Sequence, residues 1–338
     1  MSSSLSPPRV GFAGVGWIGL NRLRAIAEEG AAEISGIVDA STAAARAAVS
    51  AVKRYAPKAH VLDGFDQLLA EDLDGIVIAT PSGLHAAQAT AALQRGSAVF
   101  CQKPLARTAL EAAAVISAAR SYDKLLSVDF CYRTVAGVPQ MVELARGGEL
   151  GDIYAADLVF HNAYGPDKPW FYDRRQSGGG CVMDLGIHLL DLALWVLNYP
   201  RVTSVASRLH AQGKLLDKPV DVLEDHAFAE VQFETGTSVR MACSWRVSAG
   251  RDAVIEAAFY GTRGAAILRN IEGSFYDFVA EHCVGTARHV IASDDSHWGG
   301  RAANAWVRAL SRGARFDQQA AHLHDVSLLL DAIYGKSV

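Results

Sequence analysis

The sequence predicts two domains of different class: an α/β domain over residues 1–130 and an α+β domain with an antiparallel sheet over 131–338. Three observations predict this. The chain has 338 residues, which at roughly 150 residues per domain makes two domains. Up to about residue 130, short and wholly apolar strands alternate with helical stretches. Beyond it, strand-like stretches follow one another without helices between them. Apolar strands separated by helices imply a parallel sheet covered on both faces, and consecutive alternating strands imply an antiparallel one.

In the first domain, strands are expected at Arg9–Gly14, Glu33–Val38, Asp74–Ala79, Ala98–Cys101 and Leu125–Phe130. Helical spacing or Ala-rich composition marks Asn21–Glu29, Thr42–Arg54, Leu84–Arg95 and Ala109–Tyr122 as the helices between them. The second domain opens with a helix at Val138–Gly147 and a strand at Asp152–Phe160. A long loop over 161–180, rich in aromatics, charge and glycine, leads to a helix over roughly 181–197. Strand alternation then marks Val202–Ala211, Asp225–Phe233, Ser238–Ser244, Val254–Tyr260 and Gly264–Asn270. Helices close the chain at Trp298–Arg312 and His322–Tyr334.

Composition narrows the function. Hydrophobic residues make up 50% of the chain, and the net charge is −4. A broad phosphate-neutralising face would make the chain basic, so the balance argues against nucleic acid and for a small-molecule protein. Five cysteines stand at 101, 131, 181, 243 and 283, widely spaced and with no C-x-x-C pair. They read as reduced thiols of a cytoplasmic protein and exclude a disulfide framework or the common zinc motifs. Met1–Arg9 reads as a frayed polar tail without the apolar core of a secretory signal. Cys181–Leu197 is apolar enough to suggest a membrane span, but it carries Asp184, His188 and Asp191. Such groups are costly in a bilayer, so the stretch reads as a buried helix with a polar stripe and no membrane partner.

The chemistry begins at Gly14-Val-Gly16-Trp-Ile-Gly19, between the first strand and the first helix. Gly14 permits a tight turn, Gly16 lets backbone approach a pyrophosphate, and Gly19 permits close helix–strand packing. Trp17 and Ile18 lie within the same turn. Asp39 stands twenty residues beyond Gly19, at the end of the second strand. There it would accept hydrogen bonds from ribose hydroxyls and repel a 2′-phosphate, which favours NAD over NADP. The plainer reading is a strand–turn–helix with incidental glycines and Asp39 as a turn residue. Thr80 and Pro81 follow the third strand, where a ligand would pass. His85 is either a contact or an early helix residue. Gln102-Lys103-Pro104 ends the fourth strand at the same sheet edge. The Lys103 ammonium would stabilise a developing alkoxide, or it is simply a surface lysine at a strand end. Pro104 holds Lys103 extended, and a cis bond before it is open.

In the second domain, helical positions 184, 188 and 191 fall within roughly 60° of arc at about 100° per residue. A carboxylate beside an imidazole is a common acid–base arrangement, and Gly186 between them would keep the surface open for a ligand. A divalent metal site and a purely structural network compete with that reading. Asp191 is the residue best suited to a supporting role.

Together these pieces resemble the glucose–fructose oxidoreductase, inositol dehydrogenase and MocA-type family of NAD(P)-dependent oxidoreductases. The matching residues are the glycine turn, Ala79-Thr-Pro-Ser-Gly-Leu-His85, Gln102-Lys-Pro104, Arg133, and Ser177-Gly-Gly-Gly with Asp184, Gly186, His188 and Asp191, in family order and spacing. The resemblance implies an N-terminal Rossmann domain for the cofactor. It also implies a C-terminal α+β domain built on a large open antiparallel sheet, whose outer face makes homodimers or homotetramers. Lys103 matches the family lysine, Asp184 the substrate-binding aspartate and His188 the acid–base histidine; with those roles filled, no metal is expected at the stripe. Gln102 departs from the usual Glu. It keeps size and hydrogen-bonding capacity but drops a charge beside Lys103.

The implied reaction moves a hydride between nicotinamide and the secondary alcohol carbon of a sugar, cyclitol or polyol. His188 exchanges the hydroxyl proton, Lys103 holds the same oxygen, and Asp184 holds a substrate hydroxyl. Tyr132, Arg133, Tyr164 and Trp170 are further substrate contacts, although the aromatics of the long loop would also serve as ordinary packing. Other expectations stay open: a keto-sugar or nucleotide-sugar enzyme, a dihydrodiol dehydrogenase, or a cofactor-binding regulator without catalysis.

Overall fold

The computed structural model describes residues 6–217, 222–293 and 298–336. The start of the tail expected to fray lies outside the described residues. Two compact units divide the chain. One takes the chain up to Asp129 with Gly299–His324, and the other takes Phe130–Trp298 with the chain from Asp325.

The first unit begins β1 (Arg9–Ala13), α1 (Trp17–Glu29), β2 (Glu33–Val38), α2 (Thr42–Val52), β3 (His60–Val61) and α3 (Phe65–Ala70). It continues β4 (Gly75–Ile78), α4 (Ser82–Gln94), β5 (Ala98–Cys101), α5 (Ala109–Ser121) and β6 (Leu126–Val128). The six strands form one parallel sheet in the order β3-β2-β1-β4-β5-β6. Every residue of β4 and β5 is buried, as strands covered on both faces must be. The order reverses between β1 and β4, so the loops leaving those strands flank a crevice at the carboxyl edge. α1 starts at Trp17, four residues before the apolar spacing suggests, because the glycine turn feeds directly into it. β3 and α3 escape sequence reading because two and six residues are too short to show a period.

The second unit holds α6 (Val138–Arg146), β7 (Ile153–Asn162), α7 (Arg174–Ser177), α8 (Ile187–Val196), β8 (Val202–Ala211) and β9 (Lys214–Leu215). It goes on through β10 (His226–Phe233), β11 (Ser238–Ser244), β12 (Ala253–Gly261), β13 (Ala265–Asn270), β14 (Phe278–Val284) and β15 (Ala287–Ser293). These make a nine-stranded sheet, β15-β14-β13-β12-β7-β11-β10-β8-β9. It is mixed rather than wholly antiparallel, since β7 and β11 pair in parallel. The chain leaves β7 for the long loop and α8 before it returns, and a crossover of that length allows parallel pairing. Along β10, Ala227, Ala229, Val231 and Phe233 are buried while Phe228 and Glu230 are exposed, so one sheet face is covered and the other is not. The final pair β14–β15 was not expected. β15 is an edge strand, mostly exposed, and lacks a buried alternation.

The apolar stretch Arg174–Val196 joins α7, a break at the left-handed Gly178, a wider π-type turn over Val182–Gly186, and α8. It is long and apolar enough to cross a membrane, yet 89% of its apolar window is buried within the protein. Leu190, Leu192 and Leu194 are each at most 2% exposed. Each such side chain stabilises the fold by about 1.5–3 kcal/mol.

One late helix departs from a single border at residue 130. α9 (Arg301–Ser311) belongs to the first unit, not the second. Its buried face explains this: Ala303, Trp306 and Val307 join that unit's core. The Trp306 ring lies 5.7 Å from Phe100, over Gly75, where a Cβ would come within 2.7 Å of it. The chain then enters α10 (His322–Ile333), most of which packs in the second unit.

Candidate active site

The glycine turn of the first unit is built as its sequence suggests. Gly14 has φ +86°, and a Cβ there would lie 2.5 Å from the Ala79 carbonyl oxygen. A Cβ on Gly19 would lie 2.1 Å from Gly14 O, so α1 can approach β1 only with glycine there. A Cβ on Gly16 would meet nothing within 4 Å. Gly16 therefore borders open space at the N-terminus of α1, where backbone N–H groups favour an anion. Trp17 is 67% exposed on the first turn of α1, and Ile18 beside it is half-buried.

Asp39 braces this turn. Its Oδ2 accepts from Val15 N at 2.8 Å and its Oδ1 from Ser41 N at 2.8 Å. Each carboxylate oxygen keeps a second lone pair, so the turn role and a ribose contact are compatible. Thr80 Oγ1 donates to Gln88 Oε1 at 2.6 Å. His85 is 1% exposed, with Nδ1 2.7 Å from Pro104 O and Nε2 2.7 Å from Thr80 O. Its polar atoms are engaged within the protein, so it ties the loop after β4 to the turn after β5 rather than reaching a cofactor. Burial pushes its pKa down, the two carbonyls pull it up, and the nearby Lys103 charge lowers it again. Lys103 is partly exposed at the end of β5, before a cis bond to Pro104. Gln102 beside it is buried and donates to Asp129. The fit to a dinucleotide is good: an open glycine step, an anion-ready helix end and an acceptor at Asp39.

In the second unit, the helix carrying Asp184 and His188 is fixed by residues far away in sequence. Glu224, fully buried, accepts from Gly180 N at 3.1 Å and Val182 N at 2.9 Å, two donors that the start of a helix leaves unmet. It also accepts from Tyr334 OH at 2.8 Å. This explains the glycines. A Cβ on Gly180 would lie 1.9 Å from Glu224 O, and one on Gly179 would lie 2.1 Å from Tyr334 OH.

Asp184 accepts from Trp245 Nε1 at 3.0 Å. Phe171 and Tyr172 meet the Trp245 ring edge-on at 6.5 and 5.9 Å. Trp170 stacks on Phe171 at 3.8 Å. His188 is buried with its ring 4.8 Å from that of Tyr132. Tyr132 itself is the hub of a cluster with Phe160, Phe278 and Trp298. Burial first, then neighbouring Cys131 and Asp184, push its phenol well above the ordinary range, so it stays protonated.

Several expected contacts change meaning. Gly186 does not leave an opening, because a Cβ there would lie 3.3 Å from Cys243 Sγ and 3.5 Å from Met241 Cε. Its role is to let the helix seat on β11. Arg133 is committed to Asp191, with Nε to Oδ2 at 2.8 Å and NH2 to Oδ1 at 2.5 Å, and it donates to Tyr199 OH at 2.9 Å. Burial holds the Asp191 carboxyl above its usual range although Arg133 pulls it down. This pair is the supporting network that Asp191 suggested, and it takes Arg133 with it. Tyr164 is exposed and donates to Asp252. Sequence reading missed Glu224, Tyr334 and Trp245. The only local signal was an acidic residue between two strands and a tryptophan ending a third.

A Rossmann-type sheet with a fitting glycine turn, followed by a domain carrying an Asp–His helix on a large sheet, defines a nicotinamide-dependent oxidoreductase. The comparisons agree. Residues 8–130 match the oxidoreductase family model with an NAD-binding Rossmann fold, and residues 138–267 match the GFO/IDH/MocA C-terminal domain. The chain belongs to the GFO/IDH/MocA oxidoreductase family. It is similar to a D-glucoside 3-dehydrogenase of Escherichia coli, 29% identical over 60% of each chain. It is also similar to a 1,5-anhydro-D-fructose reductase of Ensifer adhaerens, 30% identical over 68% of this chain and 67% of that one. Its fold matches a levoglucosan dehydrogenase solved with NADH, with a TM-score of 0.82 at 21% identity over 97% of this chain and 96% of that one.

Proposed function

We propose that the chain is a dehydrogenase for a secondary alcohol on a sugar, cyclitol or related polyol, with His188 as the acid–base group. The observation that carries the proposal is the setting of Asp184. Its carboxylate is held by Trp245 Nε1 amid aromatic edges, four residues before His188. Aromatic faces suit the C–H face of a polyol, and a fixed carboxylate suits its hydroxyls.

NAD would be held at the open Gly16 step and by Asp39, and would supply the hydride acceptor for the alcohol carbon. His188 takes the hydroxyl proton as that carbon becomes a ketone, and returns it in the reverse direction. The Lys103 ammonium donates to the same oxygen and stabilises its partial negative charge. Asp184 accepts from a substrate hydroxyl and fixes the geometry. Asp39 accepts from the adenosine ribose and disfavours a 2′-phosphate, which supports NAD over NADP.

Relatives named for glucoside and anhydrofructose substrates support the substrate class. The test is steady-state turnover across a polyol and sugar panel, followed at 340 nm, by the wild type and by Lys103→Ala and His188→Ala. Loss of at least about 100-fold in each is expected. Near wild-type rates in both would remove these roles.

Two further parts of the proposal concern context. The uncovered face of the second unit's sheet carries Phe228 at 53% exposure and supports self-association through it. A Phe228→Glu variant sedimenting as the wild type would count against that. Five free cysteines, four of them buried, support a reducing, cytoplasmic setting.

A further inference from the structure

The end of β5 is held by a buried three-residue network. Gln102 Nε2 donates to Asp129 Oδ2, from the residue that follows β6. The same oxygen accepts from Arg22 Nε of α1 at 2.6 Å, and both side chains of that ion pair are at most 5% exposed. Arg22 is steadied in turn by Asn21 Oδ1 at 2.7 Å.

Chemistry fixes the orientation of the Gln102 amide. A carboxylate paired with arginine only accepts hydrogen bonds, so the amide nitrogen must face it and the amide oxygen must face elsewhere. A glutamate at 102 would instead bring two carboxylates together, with one arginine between them. Asp129 Oδ1 is buried with no hydrogen-bond partner among the described residues. A group that leaves a buried acceptor unmet is costly to keep, which suits a residue retained for what it orients.

We propose that Asp129 is a positioning residue for the cofactor. With Arg22 it locks Gln102 so that the amide oxygen, one residue before Lys103, is presented as an acceptor to a donor group on the nicotinamide half of NAD. The proposal rests on the reading of Lys103 given above.

The test is calorimetric titration of NAD into the purified protein and four variants, with thermal unfolding in parallel. Gln102→Ala removes the acceptor but leaves the ion pair, and should weaken binding about tenfold. Asp129→Asn frees the amide to turn over and should weaken it similarly. Gln102→Glu alone sets a second carboxylate against Asp129 and should weaken binding about tenfold. The exchanged pair Gln102→Glu with Asp129→Asn keeps one carboxylate and reverses the donor. It should bind within about threefold of the wild type.

Wild-type affinity in every folded variant would overturn the proposal, because a merely structural network would move melting and not binding. An exchanged pair no tighter than its single variants would overturn it too. Should Asp129→Asn fail to fold, Gln102→Ala and Gln102→Glu decide the matter. Failure of the wild type to bind NAD would remove the cofactor reading as a whole, whereas equal binding by wild type and variants removes this proposal alone.

Discussion

In the first unit, the candidate cofactor groups lie within a few residues of the carboxyl ends of parallel strands: Gly14 after β1, Asp39 after β2, Thr80 after β4 and Lys103 after β5. In the second unit, Asp184 and His188 ride on one helix, and the residues that set it stand 42 to 61 positions away. The first arrangement is local, since a strand end and its turn fix the side chain. The second is assembled at long range, so Asp184 and the start of its helix depend on partners that no short motif contains. Substitutions should therefore separate the two units. In the second, changes to distant partners should cost stability or substrate binding. In the first, changes at the turn itself should act on the cofactor.

The largest effect expected is at Arg133. Asp191 has 1% side-chain exposure, and removing Arg133 would take away the cation that pairs with this buried carboxylate. Arg133→Met should cost about 4 kcal/mol of stability. Adding Asp191→Leu should recover most of it, since the pair is then replaced by apolar groups. A variant that melts normally but has a raised KM for substrate would restore Arg133 as a contact and break the contrast.

Next come the glycines, which allow the two units to be compared directly. Gly19→Ala in the first unit and Gly180→Ala in the second each drive a Cβ into a carbonyl oxygen, at 2.1 and 1.9 Å. Each should cost about 3 kcal/mol and lower the melting temperature by about 10 °C. Gly16→Ala meets no atom within 4 Å. It should leave melting nearly unchanged and weaken NAD binding about tenfold, because the added methyl occupies the ligand's space. Unaltered NAD affinity in Gly16→Ala would show that the open step is not the cofactor's.

These cases show what the sequence discloses and why it stops. The parallel sheet, the glycine turn, Asp39 and the end of β5 were legible because period, turn chemistry and strand ends are local properties. The same holds for the helix with Asp184, His188 and Asp191. The reasons for Gly179 and Gly180 were not legible, because they lie in Glu224 and Tyr334, which only the fold brings to them. Arg133 read as a ligand contact because a charged residue after a strand is ambiguous until its partner is known. Gly186 was mistaken for an opening because the same missing Cβ permits either a ligand or a neighbouring strand. The short β3 and the irregular β15 carried no period to read.

A smaller effect is expected at Trp245. Trp245→Phe keeps the ring that Phe171 and Tyr172 meet but removes the hydrogen bond to Asp184. Losing a hydrogen bond to a charged acceptor corresponds to about tenfold, which should fall on substrate KM. NAD affinity should not change, because the residue belongs to the second unit. Equal losses in substrate and NAD binding would mean that the two functions are not separable in this way.

The smallest and most discriminating effect is the response to acid, where the units should differ in sign. Burial chiefly holds the Glu224 carboxyl above its ordinary value of 4.5, against the backbone N–H groups and Tyr334 that pull it down. The folded chain therefore keeps that proton at a pH where the unfolded chain has lost it. The contribution of Glu224 to stability falls as pH rises from the ordinary carboxylate range through the folded value, and grows on acidification. His85 behaves oppositely. Burial holds its pKa below the ordinary 6.5. The unfolded chain then takes up the proton first, so stability is lost as pH falls below about 6.5 toward the folded value. Melting temperatures at pH 7.5 and 4.5 for the wild type, Glu224→Gln and His85→Gln isolate the two groups. Relative to Glu224→Gln, the wild type should gain on acidification. Relative to His85→Gln it should lose. Two differences of the same sign would mean that one of these side chains is solvated in the folded protein, and the contrast between the two units would then fail at that residue.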